Sequence, residues 1–140
     1  MNPWLLDTGP LVAALDAGDP THDQVREVLI SFRGTLITTG AVLTEAFYLL
    51  LYAPLGPERL VEFIENLGLS IVDLFSVESL RRITQLMAKY ADQPMDFADA
   101  GLVLIGEDRG YDEILTLDER GFRTYRFRGN RRFKLVLDRS

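Results

Sequence analysis

Short apolar runs alternate with longer segments of helical periodicity along the chain. Five runs have the length and composition of buried strands, and they cover residues 4–6, 36–39, 69–74, 113–116 and 134–137. No two-residue hairpin signal joins neighbouring runs, so each predicted strand is expected to reach the next by a crossover.

Helical segments fill the intervals, and most are bounded by residues that favour a helix end. Thr21 and Ser76 are candidate caps, Pro57 suits a first turn, and Gly68 and Gly110 suit a C-terminal end. The predicted helices cover residues 11–15, 21–34, 41–52, 57–68, 76–90 and 96–109. Strands that alternate with helices predict an α/β fold, a three-layer domain with a mostly parallel central sheet flanked by helices.

The composition indicates one domain and leaves oxygen atoms as the candidate metal ligands. With 140 residues, 47% of them hydrophobic, we expect a single domain over residues 1–140. The chain has no cysteine, which excludes thiol nucleophiles and cysteine-based metal sites. Its single histidine, His22, lies in a polar stretch and is expected to be an ordinary surface residue.

The apolar segments do not predict secretion or a membrane span. The N-terminus lacks a basic and apolar signal pattern, and the longest apolar stretch, residues 41–55, falls short of the roughly 20 residues that a bilayer requires. We expect that stretch to contain a buried helix, in a cytoplasmic protein that has no membrane contact.

The most informative residues are acids placed beside or within apolar elements. Asp7 and Asp118 directly follow predicted strands, and Glu45 is the only charge in an otherwise apolar helix. Asp96 and Asp99 are three residues apart, so a helix would project both from one face. The carboxyl ends of parallel strands meet at one edge of the sheet, where these acids are expected to gather.

A cluster of carboxylates without nitrogen or sulfur ligands suits Mg²⁺ or Mn²⁺. Such ions commonly assist phosphoryl chemistry, with a further carboxylate accepting a proton from water. Thr8 and Thr116 lie beside two of the acids and are candidate supporting residues. The predicted metal set is Asp7, Glu45, Asp96, Asp99 and Asp118.

Each acid also has a structural interpretation that stays open. Asp7 is a candidate cap of the first helix, Asp118 suits a turn, and the pair Asp96 and Asp99 resembles a capping box. Glu45 would then pair with a buried arginine.

Four motifs occur in a fixed order: Leu6 to Val12, Glu45 within a helix, Phe97 to Ala100, and Leu115 to Phe122. In this order and spacing they resemble the PIN-domain ribonucleases, particularly the VapC-type toxins. The resemblance extends over essentially the whole chain.

The resemblance implies a PIN-like fold and a Mg²⁺- or Mn²⁺-dependent endoribonuclease. It also implies a homodimer and a small antitoxin protein that covers the acidic pocket. Asp96 matches a position that is acidic in only some members of the family. The catalytic acids that the resemblance implies are Asp7, Glu45, Asp99 and Asp118.

The charge distribution adds a separate indication of an RNA substrate. Residues 1–117 carry 7 Lys and Arg against 18 Asp and Glu, a net of −11, whereas residues 118–140 carry 8 against 3, a net of +5. Aromatic residues are interleaved with this basic tail, a mixture suited to phosphates and exposed bases. An alternative is that the charges only protect an edge strand. The candidate RNA contacts are Arg120, Arg123, Arg126 and Arg128.

Two rival functions stay open. A module that binds RNA or protein without cleaving would use its carboxylates only for capping and ion pairs. A DNA-directed nuclease would use the same site, because metal-assisted hydrolysis does not need the 2′-hydroxyl. Receiver and haloacid-type phosphatase domains are disfavoured, since Asp7-Thr8-Gly9 offers neither an acidic pair nor Asp-x-Asp.

Overall fold

A parallel sheet organises the computed structural model, which describes residues 1–139. The strands are β1 (Trp4–Leu6), β2 (Leu36–Thr39), β3 (Ser70–Val72), β4 (Glu113–Leu115), β5 (Arg126–Phe127), β6 (Arg131–Arg132) and β7 (Lys134–Leu135). Five of these form the sheet in the order β3-β2-β1-β4-β7, and every pairing within it is parallel. β5 and β6 form a separate antiparallel pair.

Helices connect the strands and cover the sheet. They are α1 (Thr8–Ala13), α2 (His22–Ser31), α3 (Gly40–Leu49), α4 (Gly56–Leu67), α5 (Val77–Lys89), α6 (Phe97–Arg109) and α7 (Glu119–Thr124). The chain moves from β1 to β2 to β3 in one direction and then returns past β1 to β4. Right-handed crossovers therefore place α1 to α4 on one face and α5 to α7 on the other, which confirms the predicted three-layer fold.

The core lies where β1 and β4 pair at the centre of the sheet. Leu5, Leu6, Ile114 and Leu115 are fully buried there, and α6 is buried continuously from Ala98 to Gly106. The predicted boundaries of α6 are confirmed, because Asp96 caps its first turn and Gly110 ends it in a left-handed conformation with φ 71°.

The helix predicted within residues 41–55 is only partly buried, so the expectation of a buried helix is wrong. α3 buries Val42 and Ala46 against the core but exposes Tyr48 and Leu49. The reason is geometric, since a helix on an outer layer has one face toward the sheet and the opposite face toward solvent whatever its composition.

The end of the chain differs most from prediction. The strand expected over residues 134–137 is the two-residue β7 followed by a 3₁₀ turn, Val136–Arg139. The sequence prediction missed α7 and the β5–β6 pair, because elements this short show little periodicity. Thr21 precedes α2 but makes no side-chain cap; its hydroxyl donates to Asp19 instead.

The structure also bears on the expectations about a membrane span and about His22. Over residues 1–139, no helix is both long enough and apolar enough to span a bilayer. His22 is half-buried at the start of α2, where its Nδ1 lies 2.7 Å from the carbonyl oxygen of Ala13.

Candidate active site

Two of the predicted acids meet at the carboxyl edge of the central strand pair. Asp7 directly follows β1 and Asp118 lies just beyond β4, which pairs with β1 in parallel. The backbone N–H of Asp7 donates to the carbonyl oxygen of Leu115 at 3.0 Å, so the two strand ends are directly joined. This is the point where the strand order reverses, as expected for a functional site in such a sheet.

Thr116 links these two acids through a single hydroxyl. Its Oγ1 donates to Asp7 Oδ2 at 2.7 Å and accepts from the backbone N–H of Asp118 at 2.9 Å. Thr116 is 1% exposed, so the bridge is shielded from water. The hydroxyl of Thr116 thus orients two of the acids, and its supporting role in catalysis stays a prediction.

Three of the four aspartates are helix N-caps, and Asp99 completes the capping box of Asp96. Asp7 Oδ1 accepts from Thr8 N at 2.8 Å, and Asp118 Oδ1 accepts from Gly121 N at 3.1 Å. Asp96 and Asp99 form a complete capping box, with bonds of 2.8 and 3.2 Å. The turn predicted at Asp118 is in fact the N-cap of α7.

Burial and the neighbouring acids change the ionisation of two of the aspartates. Burial, and then the negative charges of Asp96 and Asp7, together raise the pKa of Asp99 to about 8. Burial is also the main cause that raises the pKa of Asp7, which reaches about 6 even though hydrogen bonds from Thr116 and Thr8 lower it. Among the side chains of residues 1–138, no lysine or arginine forms an ion pair with any of the four aspartates.

Glu45 lies at the rim of the site and is exposed, so the interpretation that it pairs with a buried arginine is wrong. Its Oε2 accepts a long hydrogen bond of 3.4 Å from Thr8 Oγ1, which places it beside Asp7. Glu45 and Asp96 both line an open, mainly apolar groove of about 520 Å³. Exposed Phe75 also lines the groove, and its ring stacks with that of Phe97 at a centroid distance of 6.1 Å.

The charges of the carboxylates act on one another, but the side chains are not arranged as a complete metal-binding site. Over the described residues 1–139, no three acidic or histidine side chains are arranged as a complete metal site. The predicted metal ligands thus stay a prediction. The cap bonds nevertheless engage only Oδ1 of Asp96 and of Asp118, so each keeps a second carboxylate oxygen for another partner.

The basic tail is arranged differently from the predicted RNA surface. Its aromatic residues are buried in the core and cannot stack on bases, so that part of the prediction is wrong. Arg123 pairs with Asp138, and Arg128 donates to the carbonyl oxygens of Glu107 and Asp108. The buried aromatic residues are Phe122, Tyr125, Phe127 and Phe133.

The remaining two candidate arginines differ in how strongly they are engaged. Arg126 Nη1 donates to the carbonyl oxygens of residues 123–125 at the end of α7. Arg120 is exposed in the first turn of α7, two residues after Asp118. Arg120 is therefore the candidate RNA contact whose position is most accessible beside the acids.

Comparison with known proteins agrees with the sequence motifs and the fold. No protein-family model matches the chain. Ribonuclease VapC26 of Mycobacterium tuberculosis is 28% identical over 134 residues, which cover 94% of this chain and 98% of that protein.

A solved structure adds the comparison of folds. The crystal structure of Mycobacterium tuberculosis VapC20, described as a sarcin–ricin loop cleaving toxin, matches with a TM-score of 0.73 at 16% identity, covering 82% of this chain and 89% of that one. The resemblance predicted from the four motifs is therefore confirmed, and the chain has the PIN-like fold of the VapC-type ribonucleases.

Proposed function

We propose that this chain is an endoribonuclease, the toxin of a toxin–antitoxin pair, and that it cleaves RNA phosphodiester bonds at the acidic edge of β1 and β4. The observation that carries the proposal is the burial of the Asp99 carboxylate beside other acids, with no basic partner among the side chains of residues 1–138. A protein that needed Asp99 only as a cap would not need to bury it beside three further acids. The similarity to Ribonuclease VapC26 supports the same conclusion.

The donor set suits a hard divalent cation. The four aspartates offer only carboxylate oxygen, and their mutual repulsion is the kind that a cation between them relieves. We propose that Asp7, Asp99 and Asp118 hold Mg²⁺ or Mn²⁺, with Asp96 and Glu45 as further oxygen donors. When bound, the ion would supply Lewis-acid stabilisation of charge on the phosphodiester.

The chain's own residues hold these acids in place and handle the proton. Thr116 fixes Asp7 relative to Asp118, and Thr8 keeps Glu45 beside Asp7. Glu45 and Asp96 are the acids exposed at the rim. We propose that one of these two accepts the proton of the attacking water and releases it to solvent.

Substrate contact is proposed on both sides of the acids. On one side Arg120 is placed for a backbone phosphate. On the other side Phe75 and Tyr48, which are 55% and 74% exposed, line the groove beside Glu45 and suit stacking on unpaired bases.

Protein partners are proposed from the exposed end of α3 and the loop that follows it. Exposed apolar side chains are closely spaced there, and a partner chain would cover them. We propose a homodimer through this surface, and a small antitoxin that shields the acidic site. Light scattering that gives only a 15.8 kDa species would contradict the dimer. The exposed apolar residues of this surface are Leu49, Leu51, Tyr52 and Leu55.

The test of the proposed activity compares two matched substitutions on α6. Asp99→Asn removes the buried acid, whereas Asp108→Asn removes an exposed acid of the same helix that pairs with Arg82. Each purified, folded protein is incubated with structured RNA, including a sarcin–ricin loop hairpin, and with DNA of the same sequence. Every reaction is run with EDTA and with Mn²⁺.

Two results together would support the proposal. The wild type and Asp108→Asn would cleave RNA only with Mn²⁺, and the cleavage rate of Asp99→Asn would be at least about 100-fold lower. Cleavage of DNA at a comparable rate would instead favour a DNA-directed nuclease. A folded wild type that cleaves neither substrate, and whose melting temperature Mn²⁺ does not raise, would favour a binding module. Equal cleavage by both variants would contradict the site.

A further inference from the structure

Tyr125 carries a buried hydroxyl that makes no hydrogen bond within residues 1–139. The residue ends α7, and its ring packs edge-on against Tyr90 and Phe122 at centroid distances of 5.2 and 5.1 Å. A phenylalanine would fill the same space and make the same ring contacts. A buried hydroxyl without a partner is destabilising, so packing alone does not explain a tyrosine at this position.

The hydroxyl lies beside Asp118. A Cβ atom built on Gly121 would lie 3.0 Å from Tyr125 Oη and 2.4 Å from Asp118 Oδ2, so both oxygens border the same small space. Asp118 Oδ1 already accepts from Gly121 N at 3.1 Å. Oδ2 is therefore the oxygen of Asp118 that is free to turn toward the tyrosine.

A phenol is protonated at neutral pH, so this hydroxyl is able to donate. Burial raises the pKa of Tyr125 above its usual value, and the negative charges of Asp99, Asp118, Asp96 and Asp7 raise it further. All four aspartates of the candidate active site thus act on one phenol group. The same charges favour a hydrogen bond in which the phenol is the donor and a carboxylate is the acceptor.

We propose that Tyr125 is a positioning residue of the acidic site, whose O–H donates to Asp118 Oδ2 when the site holds its divalent cation. Asp118 would then be held from two sides, by Gly121 N and by Tyr125 Oη. Hydrogen bonds of this kind orient carboxylates that bind metals, and their loss weakens metal binding. The inference rests on the proposed function, since it assumes that a cation binds there.

The test replaces one oxygen atom at a time within the same aromatic cluster. Tyr125→Phe removes the unpartnered hydroxyl. Tyr90→Phe is the matched control, because the Tyr90 hydroxyl accepts from Arg126 N at 3.0 Å and serves the backbone instead of the acids. For the wild type and both variants, the melting temperature is measured in EDTA and Mn²⁺ affinity by titration calorimetry.

The two variants should show opposite effects. Tyr125→Phe should melt in EDTA no lower than the wild type and should bind Mn²⁺ about tenfold more weakly. Tyr90→Phe should melt lower in EDTA and bind Mn²⁺ with unchanged affinity.

Three results would overturn the inference. Mn²⁺ binding by Tyr125→Phe within twofold of the wild type would show that the hydroxyl does not position a ligand. A lower melting temperature of this variant in EDTA would assign the hydroxyl to the fold. Absence of Mn²⁺ binding by the wild type would contradict both this inference and the metal dependence of the proposed function. This outcome can be told apart from the other two because it appears without any substitution.

Discussion

Replacing Asp99 with asparagine should stabilise the protein when divalent cations are absent. The pKa of Asp99 is raised to about 8 in the folded protein, first by burial and then by Asp96 and Asp7, whereas the ordinary value is 3.8. Between these two pH values the folded protein keeps a proton that the unfolded chain releases. The free energy of unfolding therefore falls as pH rises, by about 1.4 kcal/mol per pH unit.

Asparagine removes this penalty but keeps the cap. It carries no charge, and its amide oxygen still accepts the bond that Asp99 Oδ2 accepts from Asp96 N at 3.2 Å. We expect Asp99→Asn to be more stable than the wild type by about 2 to 4 kcal/mol at pH 7 and by less than about 2 kcal/mol at pH 5.

The assay is urea unfolding in EDTA at pH 5, 6, 7 and 8, followed by far-ultraviolet circular dichroism. Asp108→Asn is the control, because it weakens an exposed pair with Arg82 and should not stabilise the fold. Adding Mn²⁺ at 100 times its dissociation constant should stabilise the wild type by about 2.7 kcal/mol and Asp99→Asn by less. A difference between wild type and Asp99→Asn that does not change with pH would refute the reasoning.

Three further substitutions test neighbouring parts of the structure. Thr116→Val removes the hydroxyl that links Asp7 to Asp118. It should lower the free energy of unfolding by about 1 to 3 kcal/mol, measured by urea unfolding, and the rate of RNA cleavage by about 10- to 100-fold, measured by a cleavage assay. Gly121→Ala places a Cβ atom 2.4 Å from Asp118 Oδ2 and should reduce cleavage at least tenfold, so unchanged activity would contradict the close approach. Asp112→Asn breaks two ion pairs at the opposite edge of the sheet and should lower stability by about 1 to 3 kcal/mol while cleavage per folded molecule stays unchanged.

The fold was largely predictable because its main signals are local. Short apolar strands between periodic helices determine a parallel sheet once crossovers are right-handed, and Gly68 and Gly110 mark two helix ends in left-handed conformations. The tail was less predictable, because α7 has six residues and β5, β6 and β7 have two each. Elements of that length are stabilised by tertiary packing more than by their own sequence pattern.

The sequence was enough to predict which acids lie near the candidate site, but not how exposed they are or which residues surround them. Position after a strand was enough to bring Asp7 and Asp118 together. The exposure of Glu45 was harder to predict. A helix that is apolar on all sides gives no signal of which face packs on the sheet, and Glu45 lies on the face toward solvent. The role of Tyr125 had no sequence signal, since its neighbours come from α5 and α7, and only the folded chain places its hydroxyl beside Asp118.

Capping and catalysis are alternative roles for each acid in the sequence, yet in this fold one role supports the other. Every strand-to-helix connection at the carboxyl edge starts a helix whose N–H groups need acceptors, and an aspartate there is held by a backbone bond. Asp118 and Asp96 each give one oxygen to such a bond and keep the other. The caps hold the side chains in place at this edge, where burial first and the neighbouring charges second raise the pKa of Asp7 and Asp99. A cation that binds this edge would therefore meet carboxylates already fixed in orientation, and the free energy that their repulsion costs the empty fold would be recovered on binding.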